Sequence, residues 1–299
     1  MALADAIRAR KSSGVEGSSI RQSVRMTGIR YDIPTGMTAI AEDVLPLLAS
    51  LPPAPVEICA VAQGLIVLPD FAVGLGLHED RQGEKSIRPS SEILRALRVL
   101  DDRPIDRLRE FSHRIVGTCR HFAVLSCALL RHQGIPSRAR CGFAAYFSPG
   151  NFVDHWIVEY RFPDQDRWVR VDSEVLGFDY VSAPDDLAPG EFLSGGEAWA
   201  LCRDGGADES KFGVDGFPDA WGIAEVRGNA IRDLAALNKV EMLPWDEWGR
   251  MKESYDGVTG PDYDSLIDTI AATCASNDDS RIAALYATDE LAVPESLQR

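Results

Sequence analysis

Three residue types stand in an order that could perform nucleophilic acyl chemistry: Cys119, then His155 after 36 positions, then Asp172 after 17 more. A thiol with an ordinary pKa near 8.5 is only ~3 % ionised at pH 7, so a nucleophilic cysteine needs help. A helix N-terminus and an imidazole that holds the proton would both favour the thiolate. Depressing the pKa by ~2.5 units corresponds to about 3.4 kcal/mol of such preference. The aspartate would accept a hydrogen bond from the other ring nitrogen, fixing the tautomer and stabilising the charged ring. The chemistry expected is attack of Cys119 on an amide or thioester carbonyl, with proton transfer through His155 and orientation of His155 by Asp172.

The local sequence supplies elements to position these groups. Thr118 reads as the N-cap of a helix running to Gln133, and Gly134 and Pro136 stop it. Phe122, Ala123, Val124, Leu125, Ala128, Leu129 and Leu130 make this helix apolar on nearly all sides, which predicts a central position. Segments 138–147, 154–162 and 167–175 alternate with a period of two and predict an antiparallel sheet packed on the helix. His155 and Asp172 share a sheet face only if the turn between them has an even length. A two-residue turn at 163–164 sets them opposite; a four-residue turn at 163–166 pairs His155 with Glu174 and leaves Asp172 diagonal. An odd turn without a bulge separates them. Elsewhere the pattern predicts a short helix over 38–50 kinked at Pro46, a buried apolar segment over 56–68, and helices over 92–100, 106–116, 228–240 and 263–275. Residues 182–218, rich in Gly, Pro and Asp, read as an irregular excursion. The fold class expected is α+β, with a central cysteine-bearing helix on an antiparallel sheet and further helices toward both ends.

The runs GTCRHFAVLSCALLRHQGIPSRARCGF, DHWIVEY and RWVRVDSEV resemble the core of the bacterial transglutaminase-like superfamily. The resemblance is specific over residues 106–180, extends more loosely over 56–250, and places Cys119, His155 and Asp172 in the family's order. It implies a papain-like fold and acyl chemistry through a cysteine thioester, used for amide hydrolysis, peptide cleavage or amide-forming transfer. Such a site also needs oxyanion donors, each worth ~3 to 4 kcal/mol of barrier. The Cys119 backbone N–H is one candidate; the Gln63 side-chain amide is the other, as in papain-like sites, unless Gln63 only marks a helix end. The organisation expected is a flexible arm over 1–30, a transglutaminase-like domain over 31–255 and a helical extension over 256–299. No cofactor and no metal are expected, since no D-x-D-x-D-G loop accompanies the site.

Composition narrows the alternatives. The 299 residues include 31 basic and 46 acidic side chains, a formal charge of −15 that opposes nucleic acid as a partner. The longest apolar runs are far short of the ~20 residues a bilayer span needs. Six scattered cysteines form neither a disulfide framework nor a C-x-x-C pair, so a reducing cytoplasm is expected. Cys127 and Cys141 read as core, His121 as a surface or supporting residue, His113 and His132 as helix surface, Asp154 as a strand-end ion pair and Trp156 as core. Trp245 and Trp248 read as packing before they read as a cleft lining. The substrate expected is an amide- or thioester-containing small molecule or peptide; the rival reading is a catalytically silent binding or scaffold protein of the same fold.

Overall fold

The computed structural model describes residues 28–161, 167–288 and 290–298, so most of the expected N-terminal arm and the turn at 163–166 lie outside the described residues. The chain begins with 3-10 turns at Gly36–Thr38 and Glu42–Leu48 in place of the expected helix over 38–50. Pro46 lies inside the second turn and removes a backbone donor there. The apolar segment that follows divides into α1 (Pro55–Gln63) and β1 (Ile66–Val67), followed by α2 (Pro69–Gly74) and α3 (Ser90–Leu100).

The expected helix over 106–116 does not form. Instead a 3-10 turn at Phe111–His113 leads into β2 (Ile115–Val116), which pairs in parallel with β1. The physical reason is a competing set of partners. Arg109 is buried and donates to the carbonyls of Leu97 (2.9 Å) and Arg103 (3.0 Å), and Ile115 and Val116 enter the core.

α4 (Cys119–His132) is buried along nearly its whole length, as its apolar circumference requires. It packs on a sheet of β3 (Ser137–Ala144), β4 (Phe152–Arg161) and β5 (Trp168–Val171), joined by β6 (Phe192–Ser194) in the order β5-β4-β3-β6. These contacts are antiparallel, but β7 (Phe212–Gly213) adds to β4 in parallel. Residues of α1, α3 and α4 share one core with Cys141, Trp156, Val158 and Val171 of the sheet.

The expected irregular excursion contains α5 (Gly195–Arg203), capped by Ser194 and Glu197 in a reciprocal pair of hydrogen bonds. The Gly195-Gly196 pair disguises this helix start in the sequence. A Cβ on Gly195 would lie 2.2 Å from the Asn229 backbone, so the glycine allows α5 to cross α6 (Ile223–Leu237) closely. α7 (Gly249–Tyr255), α8 (Pro261–Ala275) and α9 (Asp279–Tyr286) complete the chain. Ile267, Ile270 and Ile282, from the segment expected as an extension, share a core with Leu234 of α6, Phe143 of β3 and Val124 of α4. Among the described residues no helix is long and apolar enough to cross a membrane.

Gly142, opposite His155 in the β3–β4 ladder, fixes how closely β6 approaches. A Cβ there would fall 2.0 Å from the Leu193 carbonyl oxygen, a backbone atom that cannot turn aside. Gly142→Ala should therefore lower stability by about 3 kcal/mol, at the upper end of ordinary overpacking, read as a fall in the urea midpoint. A midpoint equal to wild type would show that β6 can retreat freely.

Candidate active site

Cys119 is the first residue of α4, where the backbone N–H groups lack intrahelical partners. The helix start is held by its neighbours. His121 Nδ1 accepts the Thr118 backbone N–H (3.1 Å), and its Nε2 donates to the Ile87 carbonyl (3.0 Å). Burial, joined by the charge of Arg120, pulls His121 down to about 3, so it remains neutral and serves as a cap. It is fully buried, not the surface residue its position also allowed.

The β4–β5 register pairs Arg161 with Trp168 and Val158 with Val171. Continued past the end of β5, this register sets Glu174 opposite His155 and Asp172 diagonal to it, as a four-residue turn requires. His155 Nε2 donates to Asp172 Oδ2 at 2.8 Å, with the two residues only 2 % and 0 % exposed. Nδ1 is the ring nitrogen left over, and Cys119 and His155 act on each other's ionisation, so the thiol lies near this imidazole.

Two residues that the sequence reading did not single out complete the surroundings of Asp172. Tyr146 donates its hydroxyl to Asp172 Oδ2 at 2.5 Å, and the Glu174 backbone N–H donates to Oδ1 at 3.0 Å. Phe147 sets its ring against His155, with centroids 4.9 Å apart. Ser173, between the two acids, contacts Ser126 of α4 at 2.8 Å between hydroxyls and ties this stretch to the helix that carries Cys119.

Gln63 ends α1, and its side-chain amide donates to the Leu176 carbonyl at 3.3 Å. It stands beside the segment that follows Asp172, where one of its two amide N–H groups is engaged. Cys127 and Cys141 are fully buried, as is Trp156 at 1 % exposure. Trp248 is packed, donating to the Leu291 carbonyl, whereas Trp245 is exposed. Asp154 accepts a hydrogen bond from Asn229 at 2.6 Å in place of an ion pair at a strand end. Among the described residues no group of three or more His, Cys, Asp or Glu side chains could hold a metal ion.

The electrostatics differ from the expected pattern of a depressed thiol. Burial pushes the Cys119 thiol up; the hydrogen bond and charge of His155 oppose this, and Glu174 and Asp154 add to it. The residue as a whole is nevertheless only partly buried. Burial pulls His155 down, but the charge and hydrogen bond of Asp172 outweigh that and hold the imidazole well above its ordinary range. Both groups are thus shifted toward holding their protons.

Residues 91–173 match the family model of the transglutaminase-like superfamily. Over these residues the chain is similar to that superfamily. The match includes Cys119, His155 and Asp172 and stops before Glu174. No curated protein and no solved structure gives a significant match to the chain.

Just beyond the matched stretch, burial, opposed by His155 and reinforced by Asp172, pushes Glu174 up from 4.5 to about 7. A carboxyl raised on folding contributes stability that is complete below its unfolded value and is lost as pH rises through the folded one. The urea midpoint should therefore fall between about pH 5 and 8, and Glu174→Gln should make that fall shallower. Equal slopes in the two proteins would show that Glu174 ionises without cost to the fold.

Proposed function

We propose that the chain is a cysteine-dependent acyl-transfer or amide-hydrolysing enzyme working through a thioester on Cys119. The observation that carries this reading is the buried 2.8 Å hydrogen bond from His155 to Asp172, with Cys119, at the N-terminus of α4, acting on the same imidazole. In this reading His155 takes the thiol proton as sulfur attacks an amide or thioester carbonyl, then returns it to the leaving group. Asp172 stabilises the imidazolium and fixes its tautomer, and Tyr146 holds Asp172 in place. The developing oxyanion faces the Cys119 backbone N–H, with Gln63 as a second donor if its amide leaves Leu176. Water or an amine then resolves the thioester.

Incubation with an activated ester such as p-nitrophenyl acetate, or with cell extract, should leave an acyl group on Cys119 detectable by peptide mass spectrometry. Cys119→Ala should abolish it. Asp172→Ala should slow acylation by roughly 10²- to 10⁴-fold, the range associated with losing a positioned acid–base group or its orienting carboxylate. Acylation spread over other residues, or unaffected by either substitution, would sink the proposal.

The upward direction of the Cys119 thiol is the one observation favouring a silent scaffold. The two readings separate on iodoacetamide labelling. An enzyme of the kind proposed should alkylate at Cys119 well below pH 8, through proton transfer to His155, and should lose that reactivity in Asp172→Ala. A scaffold should show ordinary thiol kinetics in both proteins.

A further inference from the structure

The imidazole of His155 is the inner end of a row of aromatic rings that runs outward to solvent. Phe147 stands edge-on to His155 with centroids 4.9 Å apart, Tyr180 stands edge-on to Phe147 at 5.4 Å, and Phe178 follows 6.4 Å beyond Tyr180. Each spacing lies within the range over which such rings attract one another. His155 is 2 % exposed, whereas Tyr180 is 49 % and Phe178 54 % exposed, so the row begins inside the protein and ends open.

The segment that carries the outer rings is fixed on both sides of them. Gln63 holds the Leu176 carbonyl, and the Phe178 backbone N–H closes a turn on the Val175 carbonyl at 3.0 Å, with Gly177 between them in the left-handed region at φ 80°. At the far end Val181 packs with Tyr146 against Ile157, Leu187 and Phe192. Tyr146 also donates to Asp172, so one anchor serves both the rings and the acid that orients His155. These anchors use backbone groups and the Gln63 and Val181 side chains, and leave the Tyr180 and Phe178 rings open. Large apolar surfaces held in water forgo the free energy of burial, which a bound apolar group would recover.

Chemistry decides which half of a substrate meets this row. In the acyl-transfer reading His155 returns its proton to the departing nitrogen, and takes one from the water or amine that resolves the thioester. The nitrogen half of an amide therefore lies toward the imidazole, and a substituent on that nitrogen extends along the rings that continue from it. We propose that Phe147, Tyr180 and Phe178 form a binding wall for the amine half of the substrate and select amides whose nitrogen carries an aromatic group. This rests on the acyl-transfer reading of the same site. The rings set specificity and take no part in proton transfer.

The test uses the full chain and two isomeric amides, N-benzylacetamide and N-methyl-2-phenylacetamide, which differ only in whether the ring sits on the nitrogen side or the acyl side. Each is assayed for protection of Cys119 from methyl methanethiosulfonate, read by peptide mapping and normalised to the unprotected rate of the same protein. N-Benzylacetamide should half-protect at a concentration about three- to tenfold below that of its isomer, and N-methylacetamide should not protect. Tyr180→Ala and Phe178→Ala should each raise the half-protecting concentration of N-benzylacetamide about three- to tenfold. Tyr180→Phe should stay within about twofold of wild type, since the ring and not the hydroxyl makes the contact.

Equal protection by the isomers, stronger protection by N-methyl-2-phenylacetamide, or protection by neither overturns the proposal. So does a Tyr180→Ala protein with the wild-type half-protecting concentration. Should a variant fail to fold, the isomer comparison in wild type decides. Because protection requires no turnover, an isomer preference without any acyl adduct would remove the acyl chemistry alone. An adduct without isomer preference would remove the aromatic wall alone, and a Cys119 that the reagent never modifies would sink both.

Discussion

The buried contact between His155 and Asp172 is the interaction on which the rest of the site depends. A carboxylate with 0 % exposure is costly to desolvate unless its lone pairs are occupied, and here three donors occupy them: the imidazole, the Tyr146 hydroxyl and the Glu174 backbone N–H. The backbone N–H of Asp172 is itself bound to the Pro184 carbonyl at 2.8 Å, so the carboxylate cannot easily swing away. The consequence is felt at the imidazole, which is held well above its ordinary range.

That arrangement requires the start of α4 to stay in register with the sheet, and buried polar contacts enforce it. Thr118 and His121 cap the helix and tie it to Ile87, while the fully buried Arg120 donates to the Glu241 carbonyl through two nitrogens. About two turns on from Cys119, Ser126 meets Ser173, so the helix bearing the thiol and the segment bearing the acids are joined between Asp172 and Glu174. Losing a cap alone typically costs ~1 kcal/mol, but here a shift of the helix would also misplace the nucleophile. The network from Arg138 and Arg140 to Glu159 and Asp233 braces β3 and β4 against α6 in the same manner.

The sequence made the order of Cys119, His155 and Asp172 legible because each sits in a segment with a strong local signal. The cysteine helix has a capping threonine and a glycine-proline stop, and its apolar circumference correctly implied burial. Even the turn question was framed by alternation alone, and the register agrees with the four-residue case. What local pattern missed depends on distant partners. The stretch 106–116 looks helical until Arg109 finds carbonyls 12 and 6 residues away. α5 looks like loop because its two glycines answer to a neighbouring helix, not to their own chain. Tyr146 lies in none of the quoted runs, and Glu174, though inside RWVRVDSEV, is read there only as a register partner of His155. Gln63 was read for its polarity, and the structure shows that polarity engaged by Leu176.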